Sequence, residues 1–192
     1  MHLYPKRCLG LLLFLSVMTA AATLAWADPT PPPVPPLPPP VPAIARTWPV
    51  GVHPPVLRTW EPPATAYARG HRGVDLAAAP GAAVRTVAAG RVSYAGRVAG
   101  RGVVAVELSG TGEPPLRTTY EPVRASVEKG QRVTPGEVIG AVEPTGSHCT
   151  ATCVHWGLLH ADAYLNPLAL LPPVLLHRAP SRLLPVLGVP LP

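Results

Sequence analysis

The chain has 192 residues, which is enough for one ordinary domain with extensions. Its net charge of +6 and its pI near 9.7 would suit an anionic cell surface. The basic residues are scattered and are not interleaved with aromatic residues in any run, so we expect no nucleic-acid partner.

Residues 1–27 have the pattern of an export signal peptide. Lys6 and Arg7 precede an apolar run over residues 8–24, and Ala25 and Ala27 are small residues of the kind that a signal peptidase reads. The run is shorter than the roughly 20 apolar residues of a membrane-spanning helix, although a retained anchor is the alternative. We expect cleavage near Ala27, no stable membrane span afterwards, and a protein that is secreted or associated with the cell wall.

Residues 28–44 are predicted to form a proline-rich linker. They begin with "DPTPPPVPPLPPPVP", which has few backbone donors and fixed φ angles, so we expect an extended polyproline spacer. In residues 45–69, apolar residues such as Trp48 and Trp60 are separated by prolines. This pattern favours an extended arm whose aromatic side chains pack on the domain.

Short β-rich runs separated by glycine turns fill most of the predicted domain, which we place at residues 70–171. Because the runs are short and closely spaced, they indicate an all-β fold, an antiparallel β-sandwich, rather than alternating strands and helices. A short helical turn is expected to begin at Asn166, with Pro167 in its first turn, and to end by Pro172. A proline-rich tail over residues 172–192 is expected to fray. The predicted runs are residues 83–89, 91–97, 102–108, 116–122, 132–133, 138–142 and 154–160.

His71 and Asp75 are four residues apart and are candidate metal ligands, although such a pair is equally typical of a polar turn. His155, in the β-rich run "CVHWGLL", is the candidate third ligand, and its alternative is a histidine satisfied in a half-buried strand. Removal of the signal would leave Cys149 and Cys153, and an even pair in an exported protein favours a disulfide.

Four segments together resemble the lysostaphin-type zinc metallopeptidases, which cut peptide cross-bridges of bacterial peptidoglycan. They are "GHRGVDLAAAPGAAVRTVAAGRVSYAG", "TTYEPV", "VEKGQRVTPGEVIGAV" and "CVHWGLL". The resemblance implies the family's antiparallel β-sheet core (a duplicated hybrid motif), Zn²⁺ as cofactor, and His71, Asp75 and His155 as its ligands. It also implies a bacterial peptidoglycan peptide as partner and its hydrolysis by a zinc-activated water; the oligomeric state is left open.

The chain departs from the family at two positions. Where the family has histidines that flank the metal and move protons, this sequence has Pro122 and Cys153. Two functions therefore stay open: a cell-wall metalloendopeptidase, or a catalytically degenerate zinc-binding module that binds cell-wall peptide or regulates a cell-wall hydrolase.

His148 is the candidate catalytic replacement, because a Cys149–Cys153 disulfide would hold its imidazole beside the metal. The alternatives are that His148 is a solvated turn residue, or that Cys153 is itself a thiolate ligand. Glu121 is a weaker replacement, because strand alternation should turn it away from the face of Tyr120 and position 122.

Two further residues are candidates for binding substrate. Tyr120 is predicted to hydrogen-bond a substrate carbonyl, and Arg72 to meet a peptide carboxylate. For both residue types a position on a sheet surface without such a role is the alternative.

Overall fold

The structure is a computed structural model that describes residues 40–65, 68–150 and 152–177. The expected signal peptide, most of the proline-rich linker and residues 178–192 of the tail lie outside the described residues. Among the described residues, the structure contains no helix of the length and hydropathy needed to cross a membrane.

In the part of the chain that the structure describes, eleven antiparallel strands make up nearly all of the regular structure, which confirms the predicted all-β class. The strands are β1 (Val56–Arg58), β2 (Gly73–Ala77), β3 (Ala83–Arg85), β4 (Gly90–Val98), β5 (Arg101–Leu108), β6 (Leu116–Glu121), β7 (Val123–Ala125), β8 (Arg132–Val133), β9 (Val138–Val142), β10 (Cys153–His160) and β11 (Ala163–Leu165). An eight-stranded sheet has the order β1-β2-β10-β6-β5-β4-β8, with β11 paired to β10. A three-stranded sheet has the order β3-β9-β7.

The two sheets share one hydrophobic core. Along β6, the residues Leu116, Thr118 and Tyr120 are buried, whereas the alternate residues are only half-buried. This period of two gives the large sheet one face toward the core and one face toward solvent. The core contains residues of both sheets, including Val84 and Ile139 from the smaller one.

The arm before β1 belongs to this core. Ala45, Trp48 and Val50 are buried, and the backbone N–H of Ala45 donates to the carbonyl of Leu170. Burying a tryptophan side chain stabilises the fold by about 2–3 kcal/mol, so this segment contributes directly to stability.

A 3-10 helix (Pro167–Leu170) follows Asn166, whose side chain accepts a hydrogen bond from the backbone N–H of Leu168. The helical turn therefore begins where the sequence predicts it. Directly beyond Pro172, the chain forms a four-residue α-helix (Pro173–Leu176) instead of fraying. The carbonyl of Leu175 accepts a hydrogen bond from the Trp48 indole at 3.0 Å, which explains why this part of the predicted tail is ordered.

Candidate metal site

His71 lies just before β2 and is oriented by the arm. Its backbone exchanges two hydrogen bonds with Glu61, and its Nδ1 lies 2.7 Å from the carbonyl of Thr59. A carbonyl only accepts, so in a neutral imidazole Nδ1–H donates to Thr59 and the lone pair of Nε2 points the other way. That lone pair faces Asp75 and His155.

Asp75 on β2 and His155 on β10 are directly opposite each other in the pairing of the two strands. The Oδ1 atom of Asp75 lies 2.8 Å from Nδ1 of His155 and 3.1 Å from Nε2 of His71. The two imidazole nitrogens are 3.1 Å apart. Strand register therefore brings together three residues that are far apart in the sequence.

Gly73 leaves the space that the His155 ring occupies. A Cβ atom at this position would lie 2.6 Å from the ring nitrogen Nε2, closer than such atoms approach in real structures. With Nε2 packed over the Gly73 backbone, Nδ1 is the nitrogen that His155 presents to the other two residues.

The three donor atoms fit a divalent metal such as zinc. Two donor atoms of a tetrahedral zinc site are about 3.3 Å apart, given metal–ligand distances of about 2.0–2.1 Å. The separations here are 2.8–3.1 Å, so a small outward movement would admit the ion. Without a cation or a proton between them, the carboxylate oxygen and the two nitrogen lone pairs would repel one another.

Asp75 is buried, yet it is held in its charged form. Burial alone would raise the pKa of its carboxyl group, but hydrogen bonds with His155 and His148, together with the nearby imidazole charges, lower that pKa to about 2. A carboxylate that is ionised at neutral pH and lies between imidazoles attracts a cation strongly.

The structure also brings His148 to this group. Its Nε2 lies 2.9 Å from Oδ2 of Asp75, and the donor atoms of His71, Asp75, His148 and His155 all lie within 4.8 Å of one another. His148 is the most exposed of the four side chains, at 38%.

The loop that carries His148 is closed by a disulfide between Cys149 and Cys153, which are four residues apart. Ser147 adds a contact, since its hydroxyl accepts a hydrogen bond from the backbone N–H of Cys149. Both sulfur atoms are engaged in the disulfide, so Cys153 offers no thiolate to a metal in this structure.

The two faces of β6 are reversed relative to the expectation from sequence. Tyr120 is fully buried in the core, and its hydroxyl accepts a hydrogen bond from the backbone N–H of Val87 at 3.4 Å. Glu121 is directly opposite His155 and lines the groove beside the site. The alternation along β6 is as predicted, but the site lies on the face of Glu121 and not on the face of Tyr120, because nothing in "TTYEPV" tells which face packs on the core.

Tyr120 is thus placed away from the cluster, and a contact with substrate would require its side chain to leave the core. Arg72 lines the groove next to His155, and its guanidinium lies 5.5 Å from the centre of the Tyr164 ring. Of the two predicted substrate-binding side chains, only Arg72 is therefore at the surface that contains His155.

Comparisons with known proteins agree with this geometry. The sequence profile of Peptidase family M23 matches residues 69–167, which is just over half of the chain and includes all four residues of the cluster. Uncharacterized proteins of Mycobacterium tuberculosis strain H37Rv and Mycobacterium bovis are 40% identical over 144 residues. The match covers 72% of this chain but 54% of each relative, so the chain spans about half the length of these relatives.

Solved structures share the fold. A zinc-containing peptidase from Vibrio cholerae is 25% identical, with a TM-score of 0.54 over 68% of this chain and 41% of that one. The catalytic domain of lysostaphin from Staphylococcus simulans gives a TM-score of 0.50 over 60% of this chain and 90% of that one, and at 20% identity it shows the fold alone. Since the profile match and the fold lead to the same assignment, the chain belongs to Peptidase family M23.

Proposed function

We propose that this protein is an exported, zinc-dependent endopeptidase that hydrolyses peptide bonds of bacterial peptidoglycan. The observation that carries the proposal is the convergence of His71, Asp75 and His155 on a space of the size of a zinc site. Family membership supports peptide hydrolysis, and the resemblance of the ligand motifs supports peptidoglycan as the substrate.

We assign the three converging residues as the metal ligands. Zinc, when bound, supplies a Lewis acid that polarises a peptide carbonyl. Asp75 balances the charge of the ion, the Thr59 carbonyl fixes the tautomer of His71, and Gly73 fixes the ring of His155. Such supporting contacts orient ligands and strengthen metal binding.

We assign proton transfer to His148, which would replace the imidazoles that the family has at positions 122 and 153. Its Nε2 is anchored on Asp75, and its partial exposure lets a substrate reach the ring. Glu121, which lines the groove beside His155, is a second candidate proton acceptor, and its carboxylate lies 3.6 Å from the Arg101 guanidinium.

The proposal is tested with the purified full chain. We expect about one zinc per protein, and release of new peptide amino termini from purified peptidoglycan that stops with a chelator and returns with zinc. His155→Ala should lose both zinc and peptide release. His160→Ala, at the other end of the same strand, is the matched control and should keep both.

A second function is favoured by Pro122 and Cys153, neither of which can transfer a proton here, since one is a proline and the other is in a disulfide. In that case the protein would be a zinc-binding module that holds cell-wall peptide without cutting it, or that regulates a true hydrolase. Zinc content and wall binding without any chelator-sensitive peptide release would establish this second function and reject the first.

A further inference from the structure

A groove runs along the solvent-facing side of the large sheet, away from His155. Its volume is about 1080 Å³, and strands β4, β5, β6 and β10 contribute to its floor. Because His155 lines one end, a peptide bound at the metal site would continue into this groove. The chemistry of the groove should therefore select the substrate.

Cationic side chains outnumber carboxylates in the groove. Five residues are cationic and two are carboxylates, which gives a net charge of +3 with His155 neutral. The cations are Arg72, Arg91, Arg101, Arg117 and Lys129, and the carboxylates are Glu107 and Glu121. A ligand with negative charge would therefore be attracted to the groove.

Two of the three excess positive charges lie at the end far from the metal cluster, and the third is that of Arg72 beside His155. Next to His155, Glu121 lies 3.6 Å from the guanidinium of Arg101, so the two charges nearly cancel. At the far end Arg91, Arg117 and Lys129 face the single carboxylate of Glu107.

Strand register defines this far end. Glu107 is paired with Arg91 on one side and with Arg117 on the other, so the three side chains form a row across β4, β5 and β6. Among the described residues, neither Arg117 nor Lys129 takes part in an ion pair. The guanidinium of Arg91 is held in place, since its Nε donates to the carbonyl of Gly130 at 3.0 Å.

We propose that this groove binds an extended peptide that carries a free carboxylate, and that Arg91, Arg117 and Lys129 bind that carboxylate. Arginine forms paired hydrogen bonds with carboxylates, and a nearby lysine adds a point charge. The inference deepens the proposed function and rests on it for the peptide nature of the ligand.

The length of β6 predicts how far the ligand carboxylate lies from the metal cluster. Arg117 and Glu121 are four residues apart on β6, and Glu121 is opposite His155. At about 3.4 Å per residue, the two side chains are about 14 Å apart along the strand. An extended peptide covers the same length, so its carboxylate should be about four residues from the bond at the metal cluster.

A peptide fits the groove better than a phosphate polymer does. Glu107, within the row, would repel a ligand that carries a negative charge at every repeat more strongly than a ligand with a single carboxylate. Tyr94 and Tyr164 also line the groove and offer apolar ring surface to a peptide backbone and its side chains.

The test measures binding of the full chain to purified peptidoglycan from which all covalently attached polymers have been stripped. Half of the material is treated with carbodiimide and ammonia, which converts its carboxylates to neutral amides. Sedimentation at several salt concentrations gives the affinity for each form. We expect tighter binding to the untreated form and a difference that shrinks as salt is added.

Arg117→Gln should weaken binding to the untreated form by about two- to five-fold, as expected for one exposed ion pair, and leave binding to the amidated form unchanged. Arg85→Gln is the matched control, because it removes the same charge from an exposed residue of β3 that does not line the groove. It should behave like the unmodified protein on both forms.

Several results would overturn the inference. They are equal binding to the two forms, equal effects of the Arg117 and Arg85 substitutions, absence of binding, or binding that requires the attached polymers. A failure of the proposed hydrolysis can be told apart from a failure of this inference. His155→Ala should lose zinc and peptide release but keep the carboxylate-dependent binding. That binding should still be weakened by Arg117→Gln.

Discussion

The Nε2 atom of His155 packs directly on the backbone of Gly73, so that a methyl group added to Gly73 would lie 2.6 Å from this nitrogen. A side chain at position 73 and the observed orientation of the imidazole therefore exclude each other. The geometry of the metal cluster therefore requires a glycine at position 73.

Gly73→Ala should displace the His155 ring and weaken zinc binding. It should also push back the β10 backbone, because the added methyl group would lie even closer to the carbonyl oxygen of Trp156 than to the ring. Overpacking of this kind costs typically about 1–3 kcal/mol, so a lower melting temperature is also expected. Zinc affinity is measured by competition with a chromogenic chelator. The control is Gly96→Ala in β4, where the nearest atom to an added methyl group is the hydroxyl of the exposed Tyr94 side chain, at 3.0 Å. Equal zinc affinity in both variants would contradict the prediction.

Thr118→Val should destabilise the fold by about 1–3 kcal/mol, because it leaves a buried donor without a partner. The hydroxyl of Thr118 accepts a hydrogen bond from the Trp156 indole at 2.7 Å and donates to the carbonyl of Gly157 at 3.1 Å. Urea unfolding monitored by tryptophan fluorescence gives the free energy of unfolding. Thr119→Val, on the opposite face of β6, is the matched control and should change it by much less.

Tyr120 should make the fold sensitive to alkali. Burial raises the pKa of its hydroxyl from 10 to about 12, whereas the unfolded chain has the ordinary value. The contribution of the neutral hydroxyl to the free energy of unfolding is therefore fully present below pH 10 and is lost as the pH rises through about 12.

Melting temperatures from about pH 8, below both pKa values, to about pH 12 measure this effect. The slope of stability against pH should be shallower in Tyr120→Phe than in the unmodified protein. Tyr94→Phe changes a tyrosine that is 37% exposed and should leave the slope as it is. A loss of the slope in the Tyr94 variant would show that the alkaline transition has another origin.

His148→Ala should retain zinc and slow peptide release by about 10²–10⁴, the range expected for loss of a general acid or base. The double variant Cys149→Ala/Cys153→Ala should have a similar effect, because it opens the loop that holds His148. Thr150→Ala, in the same loop, serves as the control. If His148→Ala loses zinc instead, the residue is a metal ligand and not a proton carrier.

The all-β class and most of the strands could be predicted from the sequence, because β-branched runs closed by glycines have a simple physical meaning. Strand β2 was missed, since its central residue is a charged Asp75 and its neighbours at position 73 and 77 are small. A buried carboxylate contradicts ordinary strand propensity and is tolerated here because imidazoles surround it.

The faces of β6 could not be predicted either. Alternation shows that Tyr120 and Glu121 point to opposite sides, but the side of the sheet that faces the second sheet depends on pairings between strands that are distant in the sequence. The same limit applies to the cluster, since only the register of β2 on β10 decides that Asp75 and His155 are neighbours. The resemblance of motifs, not their spacing, suggested these residues.

The hydrogen bond between His71 and Thr59 has a practical consequence for work with fragments of this protein. A fragment cut at the motif boundaries, residues 70–171, would omit the carbonyl that orients the first imidazole, along with the buried Trp48 and its acceptor on Leu175. We expect such a fragment to be poorly folded and to bind metal weakly, whereas residues 40–177 retain every one of these contacts. The minimal unit for expression is therefore set by packing partners and extends beyond the metal-site motifs at either end.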